Sequence, residues 1–450
     1  MASLVDFAYY GGLLLASPLL AARVLPKRGR RHLAGLRERL GECPVRRSDR
    51  PCVWIHGVSV GEVRVAGLLL EPLARALPDH EIVISTTTGT GQEVARRAYP
   101  ERRVIYYPID FSWAVRRTLD AIRPDLVVLV ELEIWPNFLV EARRRGVAVA
   151  LANGRISEKS FRGYRHVRGW LFDPLGKIGR FCVQTETYAD RFLRLGIPAR
   201  SIVVTGSMKY DQISTEGADP AATRRDMGLG LEDVVLIGGS THPGEERALI
   251  ETYRGLRARH PDLRLVLVPR HTERAPEIER LVLDSLPGVQ RRSQRLAGQV
   301  TDPLPPGHVL LVDTIGELGR LYAAADVVFV GGSLIPHGGQ NILEPVALGK
   351  PTVFGPSWDN FKEPVERLLR AQGVREVRDQ GDLGRVLGHL LETPGEARAM
   401  GERGRQAILA ARGATARTVA ELTAFLAEHR RQLRVRRRGG GGSPAPAVSA

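Results

Sequence analysis

Short apolar runs recur along this chain, each followed by an amphipathic stretch, and the whole pattern occurs twice. In the first half the runs are Cys52–Ile55, Glu81–Ser85, Arg103–Tyr107, Asp125–Val130, Val147–Ala152, Phe181–Gln184 and Ile202–Thr205. In the second they are Val234–Ile237, Leu263–Val268, Val309–Val312, Val327–Val330 and Pro351–Phe354. Four to six apolar residues make a strand buried on both faces. A helical stretch after each such strand calls for a parallel sheet covered by helices. The spacing therefore predicts an α/β protein with two doubly wound domains. Between them, 212–230 is polar, bears Gly, Pro and Asp, lacks strong periodicity, and reads as a linker. The expected division is 1–30, a hydrophobic anchor with a basic flank; 31–211, the first domain; 231–430, the second; and 431–450, a basic and then disordered tail.

Length and charge narrow the classes. At 450 residues the chain has room for two large cores. Lysine and arginine outnumber aspartate and glutamate, 65 against 50, giving a formal charge of +15 and favouring anionic partners. Cys43, Cys52 and Cys182 form neither a C-x-x-C pair nor an even set, which argues against a disulfide framework or a zinc site. Residues Phe7–Ala22 carry no charge and are followed by Arg23, Lys27, Arg28, Arg30 and Arg31. That run falls short of the about 20 residues of a comfortable bilayer span, and Gly11, Gly12 and Pro18 weaken it as a helix. It reads as an uncleaved anchor or interfacial helix whose basic side faces cytoplasm and anionic lipid. The basic runs lack interleaved aromatics, so headgroups explain them better than nucleic acid.

Trp54 to Glu62 is the most informative stretch. A buried strand runs into a small-residue turn (Gly57, Ser59, Gly61) and then a helix with Val63, Ala66, Leu70 and Leu73 on its apolar face. Glu62 thus lies at a strand-to-helix corner, where open α/β sheets bind ligands. A first-turn glutamate is also favourable against the helix dipole alone. The strand Asp125–Val130 ends in Glu131 and Glu133, which share a side if the strand continues through them. Glu133 alternatively caps the helix opened by Pro136. Glu131, if close to Glu62, raises the latter's pKa by like-charge repulsion, as a general base working near neutrality requires.

The second domain has polar, glycine-rich strand ends: Gly238–His242, Pro269–His271, Asp313–Glu317 and Gly331–Ser333. Gly338-Gly-Gln-Asn341 then leads into a helix with bare backbone N–H groups suited to phosphate, while Asn341 and Glu344 have capping-box spacing. His56, His242 and His271 sit at strand ends without metal-ligand spacing and read as structural groups. The sequence contains no D-x-D pair, no G-x-G-x-x-G opening the first βα unit and no P-loop lysine motif.

Six motifs together resemble the 3-deoxy-D-manno-octulosonic acid (Kdo) transferases of lipopolysaccharide assembly. They are His56–Glu62, Glu131–Asn137, Val204–Lys209, Gly239–Glu246, Leu267–His271, and Phe329–Ser333 with Asn341–Pro345. The resemblance implies a GT-B glycosyltransferase of two Rossmann-like domains facing a cleft, using CMP-Kdo and a lipid A precursor at the inner face of the inner membrane. It implies Glu62 as general base and Glu131 and Lys209 as transition-state stabilisers. Pro269, Arg270, the Ile315-Gly316-Glu317 turn and Asn341, Ile342, Leu343 and Glu344 would hold CMP. No cofactor or metal is implied. Two alternatives remain open from the residues: a GT-B enzyme using a UDP-sugar on another lipid acceptor, and a non-catalytic membrane-surface scaffold.

Overall fold

The computed structural model describes Asp6 and residues 35–167 and 175–439; the expected anchor and the glycine-rich end lie outside these residues. No helix among the described residues is long and apolar enough to cross a membrane. The chain forms two compact units, 1–211 with 412–450, and 212–411.

The first unit is built on seven parallel strands: β1 (Cys52–His56), β2 (Glu81–Thr86), β3 (Arg103–Tyr106), β4 (Leu126–Val130), β5 (Ala148–Gly154), β6 (Arg180–Val183) and β7 (Ile202–Val204), in the order β3-β2-β1-β4-β5-β6-β7. Alternation along each strand creates two separate cores. Cys52, Trp54, Val127, Leu129 and Leu151 face the layer that contains Phe138 and Leu139 of helix Pro136–Arg144. Val53, Ile55, Val128, Ala148, Ala150 and Ala152 face the opposite layer.

Two helices fill that second layer, Val60–Ala76 and the last one, Ala414–Gly439. Val419, Leu422, Phe425 and Leu426 of the last helix pack there, over the alanines of β5. Asp211 fixes its start by accepting the N–H groups of Gly413 and Thr415, both at 2.7 Å. This differs from the expected layout, in which everything through 430 belonged to the second domain. Local periodicity shows that a helix is amphipathic but not which sheet it covers. The arginine run that was expected to begin a tail continues the same helix, as the high helix propensity of arginine allows.

The second unit has seven parallel strands, β8 (Val234–Thr241), β9 (Leu263–Pro269), β10 (Val289–Arg291), β11 (Val309–Leu311), β12 (Val327–Val330), β13 (Thr352–Phe354) and β14 (Arg375–Glu376), in the order β10-β11-β9-β8-β12-β13-β14. The stretch expected to be a linker belongs to this unit. Pro220–Asp226 is a helix with Asp219 as its cap, and Met227 and Leu229 are buried. In each sheet the strand order reverses once beside the first strand, between β1 and β4 and between β8 and β12. The carboxyl ends at such a reversal leave a crevice in which α/β proteins bind ligands.

Candidate active site

At the first reversal, β1 ends at His56, Gly57 follows, and the chain turns into helix Val60–Ala76. Ser59 is the N-cap, and its Oγ accepts the Glu62 N–H at 3.3 Å. Glu62 reaches back: Oε2 accepts the Val58 N–H at 2.7 Å and Oε1 accepts the Ser59 hydroxyl at 3.0 Å. Ser59 and Glu62 have the S-x-x-E spacing of a capping box, with the return bond shifted to the Val58 amide. The carboxylate is therefore held in one orientation at the crevice. Burial raises its pKa most, the Val58 and Ser59 bonds oppose that, and the Glu131 charge adds a smaller upward push, against Arg155. The expected effect of Glu131 is present, although desolvation is the larger cause.

Glu131 does not extend β4. Its φ of 66° is left-handed, an unusual conformation for a non-glycine residue that costs about 1–3 kcal/mol. Its backbone N–H still donates to Ala152 O at 2.9 Å, but the side chain is turned away from the strand's alternation and lies 6% exposed. There Oε2 meets Arg155 Nε at 2.6 Å and Oε1 meets Lys209 Nζ at 3.3 Å. Asn153, at φ 53°, accepts the Met208 N–H on Oδ1 at 3.0 Å and so seats the turn bearing Lys209. Four strand ends thus converge on one cluster: Glu62 after β1, Glu131 after β4, Arg155 after β5 and Lys209 after β7.

Glu133 belongs to this cluster and does not cap the following helix. It accepts the Trp135 indole N–H at 3.1 Å, and burial followed by the Glu62 charge pushes its pKa up to about 7. The helix start is served instead by Asp110, whose Oδ2 and Oδ1 accept the N–H groups of Asn137 at 3.1 Å and Phe138 at 2.8 Å. His56 is structural, as expected. It is fully buried, stacks on Tyr107 with ring centroids 3.8 Å apart and bonds the Ser85 hydroxyl at 2.9 Å. Burial lowers its pKa to about 3 and keeps it neutral.

At the second reversal a buried carboxylate shapes the crevice. Glu245, 1% exposed, accepts the backbone N–H groups of His242, Gly332, Ser333 and Leu334 at 2.7–2.9 Å. It ties the turn after β12 to the turn after β8. Pro269 closes β9, and the Arg270 N–H donates to Thr241 O at 2.9 Å, leaving an exposed guanidinium stem beside His242. His242 lies 4.1 Å from the His337 ring and 5.9 Å from the His271 ring. Burial, then those imidazoles and Arg270 and Arg274, pull its pKa down to about 4.

The remaining expected nucleotide-binding residues lie together nearby. Ile315 is 86% exposed on a turn made possible by Gly316 at φ 89°. Glu317 is held by Arg292 at 2.9 Å and Arg320 at 3.0 Å. A side chain on Gly319 would meet the Glu344 carboxylate at 3.7 Å, so this turn approaches the Asn341–Glu344 segment. The expected capping box there is replaced by an Asx-turn. Asn341 Oδ1 accepts the Leu343 N–H at 3.1 Å while its amide donates to Glu344 at 2.9 Å, and the helix that follows spans only Leu343–Ala347. The glycine turn is less bare than expected, because the N–H groups of Gly338 and Gly339 donate to Ser357 Oγ and Gly332 O.

Sequence reasoning missed Arg155, the titrating role of Glu133 and the Ser59 cap. The last had a signal in the S-x-x-E spacing. Arg155 had only its place after the strand next to β4, which requires knowledge of the strand order.

Comparison with known proteins identifies the family. Residues 34–212 match the family model described as 3-deoxy-D-manno-octulosonic-acid transferase (kdotransferase). The 3-deoxy-D-manno-octulosonic acid transferase of Haemophilus influenzae is 31% identical over 433 residues, 93% of this chain and 98% of that protein. The Bordetella pertussis transferase of the same name is 34% identical over 390 residues, covering 83% and 87%. Among solved structures, Acinetobacter baumannii MurG aligns with a TM-score of 0.52 at 13% identity, over 83% of this chain and 99% of that one, a likeness of fold alone. With two doubly wound units of GT-B type and relatives at 31% and 34% identity that cover 93% and 83% of it, the chain belongs to the Kdo transferase family of glycosyltransferases.

Proposed function

We propose that this protein transfers Kdo from CMP-Kdo to a lipid A precursor, with inversion at the anomeric carbon. The observation that carries the reading is the Glu62 carboxylate, fixed by Val58 and Ser59 at the first reversal with its pKa raised by burial. Glu62 accepts the proton of an acceptor hydroxyl as that oxygen attacks the anomeric carbon. The bond from that carbon to the phosphate oxygen breaks, and CMP leaves with the electron pair. Lys209, held by Glu131, stabilises charge that develops in the transition state.

On the donor side, Pro269, Arg270, the Ile315–Glu317 turn and Asn341–Glu344 hold the CMP moiety. Arg270 supplies a cation for its single phosphate, and the chemistry needs no metal. The formal charge of +15 suits an acceptor rich in phosphate and a site of action at the anionic inner membrane, on its cytoplasmic side. Incubation of the purified protein with CMP-Kdo and lipid A precursor, in buffer with and without EDTA, tests this. Transfer in both is expected. No transfer from CMP-Kdo, with transfer from a UDP-sugar instead, overturns the donor assignment, and loss with EDTA overturns metal independence.

A further inference from the structure

We infer that Arg155 and Lys209 form an oxyanion-binding subsite beside Glu62, in which Glu131 is the positioning residue that holds both cations. The inference deepens the proposed function and rests on it for the identity of the substrates.

Two cations share the Glu131 carboxylate, so these three groups together carry an excess of one positive charge, set against the Glu62 and Glu133 carboxyls of the same cluster. Glu131 is almost fully enclosed, with its side chain 8% exposed, whereas the side chains of Arg155 and Lys209 are 53% and 46% exposed. A group so enclosed is poorly placed to touch substrate, and its partners are well placed. Arg155 meets Glu131 through Nε, and a guanidinium has five donors in a planar fork that matches a carboxylate or phosphate. Two non-glycine residues in the left-handed region, Glu131 and Asn153, hold the two ends of the assembly. Asn153 immediately precedes Gly154-Arg155 and also binds the turn of Lys209. Strain of this kind persists where the surrounding structure over-determines it, and it clusters at ligand clamps. The Glu62 carboxylate close by repels an anion. The surplus positive charge of Arg155 and Lys209 offsets that repulsion.

The ligand chemistry is a carboxylate or a phosphate monoester, present in the donor as the Kdo carboxylate and in the acceptor as a sugar phosphate. The test compares wild type with Arg155→Gln, Arg155→Lys and Glu131→Gln in steady-state transfer, varying each substrate in turn and repeating with dephosphorylated acceptor. Arg155→Gln is expected to raise one KM roughly tenfold or more, the loss of a charge-assisted hydrogen bond. Arg155→Lys recovers part of that loss, because it restores charge without the fork. A penalty that vanishes on the dephosphorylated acceptor assigns the anion to the acceptor; a raised KM for CMP-Kdo assigns it to the donor. Glu131→Gln raises the same KM.

Arg155 also opposes the upward shift of Glu62, so Arg155→Gln moves the acid limb of kcat/KM to higher pH. Both KM values within twofold of wild type in a folded Arg155→Gln protein overturn the inference, as does Arg155→Lys showing no recovery. If the wild type fails to use CMP-Kdo, the proposed reaction falls and the subsite is judged separately by thermal stabilisation with millimolar inorganic phosphate. Stabilisation lost in Arg155→Gln supports it, and equal behaviour of the two proteins overturns it.

Discussion

Glu62 serves both the helix and the proposed reaction, and the two roles separate by substitution. Glutamine keeps an acceptor oxygen for the Val58 N–H and turns its amide N–H towards the Ser59 hydroxyl as a donor, so Glu62→Gln is expected to keep its melting temperature within a few degrees of wild type. It should lose transfer by about 100-fold or more, the usual worth of a general base. Glu62→Ala keeps the Ser59 cap but loses the return bonds to Val58 and Ser59 as well, and should cost about 1 kcal/mol of stability by denaturant titration. Glu133 has a different signature. Its carboxyl titrates near 7, above the ordinary carboxylate range, so the folded protein binds a proton there that the unfolded chain releases. The stability that this group contributes is complete below the unfolded pKa and is lost as pH rises through about 7. Melting curves should therefore show Glu133→Gln more stable than wild type at pH 8, with the difference fading towards pH 5.

Strands were the most legible elements, and the reason is burial on both faces. β1, β4, β9 and β12 are apolar throughout or nearly so, and a run of that kind has few other places to go. β10 and β14 escaped notice because they are edge strands of three and two residues with partly exposed side chains, Val289–Arg291 and Arg375–Glu376. Turns were harder to read. Glu131 looked like the next residue of a strand, and only the left-handed backbone at that point turns it towards Arg155 and Lys209. Glu245 was legible only as part of a motif, because its four backbone partners come from two different turns. Its replacement by glutamine offers one acceptor oxygen where two served, leaving about two of the four N–H groups facing an amide. At roughly 1.5–3 kcal/mol for a bond to a charged group, Glu245→Gln should cost roughly 3–6 kcal/mol. Calorimetry of the full chain would show this as a lowered transition for the unit 212–411, and CMP affinity should fall with it.

The two units differ in how the chain supplies them. One is the continuous segment 212–411, and the other is completed by residues after 411. Burial of Val419, Leu422, Phe425 and Leu426 at roughly 1.5–3 kcal/mol each is comparable with the roughly 5–15 kcal/mol net stability of a domain. A fragment 1–211 should therefore fail to fold alone and expose the alanine face of β5, whereas 212–411 should give one cooperative unfolding transition. Co-expression with a separate 412–450 peptide should restore solubility to 1–211 if that helix is what it lacks; an insoluble product in both cases would refute the assignment. No reading of the helix in isolation could have shown this, since its apolar stripe fits either sheet. The arrangement also sets an order of events during synthesis. After residue 211 leaves the ribosome, the 200 residues of the 212–411 unit must be made before the segment bearing the last helix, about 10–40 s at about 5–20 residues per second. The half that carries Glu62 is thus the first to be translated and the last to be finished, so an unfinished chain presents the 212–411 unit alone.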